Sequence, residues 1–153
     1  MRRIGLLFAL SVALAPLCVG LAGDKKGSDK NAFYVGKVVS LADVLAKQGV
    51  KIDPDQIVLA LQTDDGKLYP LIKDDGARMF FKDAKLLNRP MRLTARLIPN
   101  SQFLQVIQVH SLINGKLHDV YYWCDICTIK RFEAGICDCC GEQMELRETP
   151  VKE

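Results

Sequence analysis

Two Cys-x-x-Cys pairs near the end of the chain, Cys124-Asp-Ile-Cys127 and Cys137-Asp-Cys-Cys140, are separated by nine residues. Each pair can close a tight turn that aims both sulfurs at one centre. Two such turns facing each other supply four thiolates for a tetrahedral ion, the donor set of a structural zinc site. Gly141, directly after the second pair, suits a position that often needs a positive backbone angle as the chain swings round a metal. The expected centre is therefore one zinc ion held by Cys124, Cys127, Cys137 and Cys140. Cys139 is left over: an alternative ligand, a partner for another molecule, or a small residue turned away from the metal.

The flanking residues extend the pattern. Tyr122, Trp123 and Cys124, then Ala134-Gly135-Ile136-Cys137-Asp138-Cys139-Cys140-Gly141, and finally Met144 and Leu146 resemble the small heavy-metal-binding domain of exported metal-efflux components and metal-transporting ATPases, in the manner of a zinc-ribbon knuckle. The resemblance covers about 25 residues and implies metal binding there. Two departures bear on the chemistry. Cys127 stands where that family has histidine, and Glu142 stands where it has methionine. Four thiolates without His or Met favour zinc over a copper-transfer role. The rival reading is oxidation to two disulfides, which an exported compartment favours. A thioredoxin-like redox role is weaker, because neither pair lies between a strand and a helix.

Export is expected from the N-terminus. Arg2 and Arg3, an apolar run from Ile4 to Leu17 and small residues at Gly20 and Ala22 have the layout of a secretory signal peptide over residues 1–22. The run contains Pro16 and falls short of the roughly 20 residues a membrane span requires, so no stable span is expected after cleavage. The protein then reads as secreted or periplasmic. Leu17 before Cys18 argues against a lipidated cysteine. The remaining 131 residues suit one compact core with an appendage. Charge divides at Cys124 into +4 for the body and −3 for the tail, without the basic excess of a nucleic-acid binder.

Residues 23–32 form a polar, Lys- and Gly-rich leader. Phe33–Val39 reads as a strand with a bend at Gly36, followed by a short helix capped by Ser40 and closed at Gly49. Ile57–Leu61 and Lys67–Ile72 read as a hairpin about Asp64-Asp65-Gly66, with Pro70 at a sheet edge. Asp74–Leu87 suits short helical turns. Met91–Ile98 and Phe103–Leu112 alternate as two half-buried strands, and Asn114-Gly115 turns the chain into a strand over Lys116–Trp123. Three strands, a helical cover and two more strands resemble the OB-fold, so the fold class expected is mainly β: a small five-stranded barrel with short helices over residues 33–115, a metal knuckle over 116–148, and a tail, 149–153.

No serine nucleophile motif, two-histidine metal helix or phosphate loop is present, and the chain reads as a non-enzymatic binding or scaffold protein with metal and a protein partner as its ligands. Metal handling is the second reading. A third is ligand binding by the barrel, with Tyr69, Arg92 and Arg96 on the surface. His110 reads as a structural residue of its strand and His118 as a distant candidate ligand. Tyr121, Tyr122 and Trp123 read as packing the knuckle against the barrel.

Overall fold

The computed structural model describes residues 30–53 and 57–152. The signal segment 1–22, Cys18 and most of the leader lie outside the described residues. The aromatic and β-branched run forms β1, Ala32–Ser40. Gly36 sits in it because the Gln62 carbonyl oxygen would stand 2.2 Å from any Cβ there. The Ser40 side chain accepts the Asp43 amide at 3.3 Å and caps α1, Leu41–Lys47. Then follow β2, Leu59–Gln62, and β3, Leu68–Pro70. Asp74 Oδ1 accepts the amides of Gly76 and Ala77 at 3.1 and 3.3 Å, turning the chain into α2, Arg78–Lys82, and a 3-10 turn, Ala84–Leu86. The alternating segments become β4, Pro90–Leu97, and β5, Leu104–Ile113. Asn114 and Gly115, both at positive φ, reverse the chain into β6, Lys116–Cys124. Two strands close the chain, β7, Ile129–Arg131, and β8, Glu145–Pro150.

These strands make one eight-stranded antiparallel sheet in the order β3-β2-β1-β4-β5-β6-β7, with β8 paired to β6. The expected closed barrel of five strands is corrected to this open sheet. Two features keep it open. β3 is three residues long and ends at Pro70, which has no amide to donate. The chain just beyond it meets β5 through a single parallel bridge among the described residues, Leu71 to Leu104, with the Ile72 amide donating to the Leu104 carbonyl at 3.0 Å. The sheet instead continues through β6. β5 pairs with Lys116–Asp119 of β6 and β7 with Tyr122–Cys124, while β8 runs along His118–Trp123 on the other edge.

On β4, Met91, Leu93 and Ala95 are fully buried while Arg92, Thr94 and Arg96 are part-exposed. This alternation puts one face of the sheet on the core, where Val38, Leu61 and Leu104 meet Phe80 and Leu86 from the helical cover. Each such side chain contributes about 1.5–3 kcal/mol by leaving water. A bulge between Thr94 and Ala95, opposite Ile107, shifts the β4–β5 register. The same core reaches Tyr122, Cys124, Cys137 and Met144. The cysteine region is thus built onto the end of the sheet.

Candidate metal centre

Two hairpins deliver the sulfurs. In the first, between β6 and β7, the Cys127 amide donates to Cys124 Sγ at 3.4 Å and the Thr128 amide to the Cys124 carbonyl at 2.8 Å. In the second, Ile136 bridges Gln143, the Cys137 amide donates to the Glu142 carbonyl at 2.7 Å, and the Gly141 amide donates to the Cys137 carbonyl at 2.8 Å. The turns repeat one another. The residue after each pair is left-handed, Gly141 at φ +75° and Thr128 at φ +54°. Glycine takes that conformation freely; a β-branched threonine does so only under strain.

The Sγ atoms of Cys124, Cys127, Cys137 and Cys140 all lie within 4.8 Å of one another, and Cys124 and Cys140 are 3.5 Å apart. All five described cysteines are free thiols. Metal–sulfur bonds of the zinc–thiolate length, about 2.3 Å, give a tetrahedron with sulfur–sulfur edges of about 3.8 Å, inside the observed range. The four residues fit a metal ion. Their exposure is uneven: Cys124 and Cys137 are 1% exposed, Cys127 is half-buried, and Cys140 is exposed, as is Cys139.

Hydrogen bonding separates the thiols. Backbone amides of Cys140 and Cys139 point at the Cys137 sulfur and lower its pKa to about 7. Cys127 is pushed well above the ordinary thiol range by the neighbouring Cys139 and Cys140 thiols and by burial. For Cys124 the amide of Cys127 pulls the pKa down, but burial and the Cys140 and Cys137 thiols outweigh it. A cation among them favours the thiolate forms of all four.

The centre is tied to the sheet from several sides. The Tyr122 hydroxyl, buried two residues before Cys124, donates to Asp83 Oδ2 at 2.8 Å; burial and then that carboxylate hold the phenol protonated. Arg131 joins Asp138 of the second hairpin at 2.9 Å, and Glu133 between the hairpins reaches Arg78 of α2 at 3.0 Å. Tyr122 thus packs inward as expected. Tyr121 and Trp123 are half-buried on the opposite face, edge to face at 6.4 Å, with Lys130 Nζ 4.3 Å above the Tyr121 ring and Arg147 over Trp123 at 5.6 Å.

Neither histidine joins the cluster. His110 is buried with Nε2 3.3 Å from Asp119, and His118 Nδ1 lies 3.1 Å from the Lys116 carbonyl. Tyr69 lies on the core-facing side of the sheet, edge to face with Tyr34 at 5.5 Å. Arg92 and Arg96 are on the opposite side, Arg92 over the Phe33 ring at 4.8 Å and Arg96 donating to Gln105 at 2.6 Å. The three do not share a surface. A cleft of about 370 Å³, lined by Asp75, Met79, Ile107, Asp119, Lys130 and Phe132 among others, opens where β5 and β7 part along β6. No sequence signal marks it, because it arises from the parting of two strands. No helix among the described residues is long and apolar enough to cross a membrane.

Compared with protein-family models, curated proteins and solved structures, the chain matches none.

Proposed function

We propose that this is an exported, non-enzymatic binding or scaffold protein whose C-terminal hairpins form a zinc-ribbon-like knuckle around one structural zinc ion. The observation that carries the reading is the convergence of four sulfurs from two matching turns. An all-thiolate set with no histidine or carboxylate suits zinc, and four protein ligands leave no open position for water or substrate. The ion acts as a crosslink: it fastens the second hairpin, and through it β8, to the end of the sheet.

The sheet body is read as OB-like, a barrel opened at one seam: β1 lies between β2 and β4, β5 follows β4, and a helical cover stands between β3 and β4. In this reading the body is a scaffold, and a partner protein meets the exposed side of the knuckle, where Ile126, Phe132 and Ile136 are 57–67% exposed. Export through the N-terminal signal segment completes it.

Metal and thiol analysis of the purified, unreduced protein tests the centre. One zinc per chain, with thiols that react after chelation, is the expected result. Metal-free protein with four oxidised cysteines overturns it.

A further inference from the structure

We propose that the centre is a redox switch: oxidation joins Cys124 to Cys140 in one disulfide between the two hairpins, releases the ion, and leaves the second hairpin fastened to the sheet by a covalent bond in place of the metal. The proposal rests on the four-thiolate metal reading above and adds regulation to it.

Three observations carry it. First, the Sγ atoms of Cys124 and Cys140 stand 3.5 Å apart, one from each hairpin, so a bond between them needs only a local movement of side chains. Within the first hairpin the backbone sets the sulfurs differently. The Cys127 amide donates to Cys124 Sγ at 3.4 Å and the Thr128 amide to the Cys124 carbonyl at 2.8 Å, a turn that holds both sulfurs toward the common centre. Second, the pair divides by exposure: Cys140 is exposed, whereas Cys124 is 1% exposed. A dissolved oxidant reaches Cys140, and Cys124 stands behind it, out of that oxidant's reach. Third, the bond spans the two parts that the ion is proposed to join. Cys124 ends β6 within the core, and Cys140 lies in the second hairpin beside Gly141, whose amide closes that turn on the Cys137 carbonyl at 2.8 Å. The ion pair of Arg131 with Asp138, 2.9 Å, holds the two hairpins together from a second point while the sulfurs rearrange.

The step is a thiol–disulfide exchange, with a low-molecular-weight disulfide as the oxidant. The Cys140 thiolate attacks one sulfur of that disulfide, the bond between the oxidant's sulfurs breaks, and one small thiolate departs and takes up a proton. Cys140 is then a mixed disulfide and no longer a thiolate ligand. The Cys124 thiolate attacks the Cys140 sulfur from the inner side, expelling the second small thiolate toward solvent. Two cysteine sulfurs have given up two electrons between them, and the oxidant has become two thiols. Cys127 and Cys137 remain as half of a four-coordinate donor set. The ion passes to solvent and they take up protons. An excess of dithiol runs the exchange backwards and restores all four thiolates.

The test treats the reduced, zinc-loaded chain with glutathione disulfide and follows zinc with a dye too weak to strip the ion unaided. Trypsin cuts at Lys130 and Arg131, so a bond between the hairpins joins peptide 117–130 to peptide 132–147, and a bond within either turn does not. Zinc release should keep pace with the appearance of the joined peptides, and dithiol should restore zinc binding. Cys139→Ser should give the same joined pair, and Cys140→Ser should lose it. Zinc released with disulfides confined to single peptides overturns the proposal, as does a joined pair that survives Cys140→Ser or disappears in Cys139→Ser. A chain that takes up one zinc ion and keeps it in the presence of the disulfide overturns the switch alone. A reduced chain that takes up no ion overturns the four-thiolate reading beneath it, and the two failures are thereby distinguished.

Discussion

In the sheet body, Val38, Leu61, Phe80, Leu93 and Leu104 are at most 2% exposed and face one another across a continuous core. In the hairpins beyond Cys124 the relation inverts: Ile126, Phe132 and Ile136 are open to solvent, while the side chains taken inside are Cys124, Cys137 and Met144. One region removes hydrocarbon from water; the other brings together four thiols that, in the proposed reading, a cation holds in place. The body can hold its shape by burial alone, whereas the hairpins have too little apolar area to offset the entropy of ordering some twenty residues. The centre is therefore where stability depends on solution conditions, and the body is the frame that presents it.

The largest effect expected from this contrast follows metal removal. Structural zinc contributes about 10–16 kcal/mol of apparent binding energy in small zinc domains. Chelation should abolish amide hydrogen-exchange protection from Cys124 through Met144 while β1, β4 and β5 retain theirs. Protection lost uniformly across all eight strands would break the comparison, since the body would then depend on the metal as well. The converse experiment is Leu93→Ala, which empties a fully buried position of β4. It should lower the unfolding free energy by about 2–5 kcal/mol and leave one ion bound per folded chain. Measured together, denaturant midpoint and metal content separate the two regions.

The same contrast explains what could be read in advance. Strand β1 was legible from its aromatic and β-branched run, β4 and β5 because alternation of apolar and polar residues records which face is buried, and the four cysteines because spacing records a turn. Closure was not legible. It depends on Pro70 ending β3 after three residues and on the chain beyond it meeting β5 through a bridge from Leu71 to Leu104, both settled by how distant strands meet. β8 gave almost no signal, since Glu-Leu-Arg-Glu-Thr-Pro has one apolar residue; its place is set by six register pairs along β6. The uneven exposure of the cysteines and the Tyr122–Asp83 bond, which spans 39 residues, exist only in three dimensions.

A smaller effect is expected at the left-handed position that the two turns share. Thr128 takes up a conformation costing an L-residue roughly 1–2 kcal/mol that Gly141 adopts freely. Thr128→Gly should relieve that strain, offset in part by the greater freedom glycine brings to the unfolded chain. The loss of its hydroxyl bond to the Cys127 carbonyl is a further small cost. The expected outcome is a net gain of up to about 1 kcal/mol, seen as slower hydrogen exchange in the first hairpin of the metal-loaded protein with the body unchanged. A destabilised hairpin would mean that the threonine hydroxyl outweighs the backbone strain.

Acid should act on both regions through different groups, and His110 gives the smallest of these effects. In the hairpins, protons compete with the proposed ion for the thiolates, so acidification should release it. In the body, burial and then the Arg92 guanidinium lower the His110 pKa below its ordinary 6.5, with Asp119 opposing them. The folded state therefore binds fewer protons at this site than the unfolded chain. Stability contributed at His110 is complete above 6.5 and declines as pH falls from there through the folded-state pKa. His110→Gln removes that titration and keeps a polar side chain between Arg92 and Asp119. The readout is the change in unfolding midpoint between about pH 8 and about pH 5.5, with wild type and variant both in chelator. With the metal gone from both, the wild type should lose more stability than the variant. Equal losses would place the acid sensitivity of the body at groups other than His110 and leave the hairpins as the principal pH-responsive region.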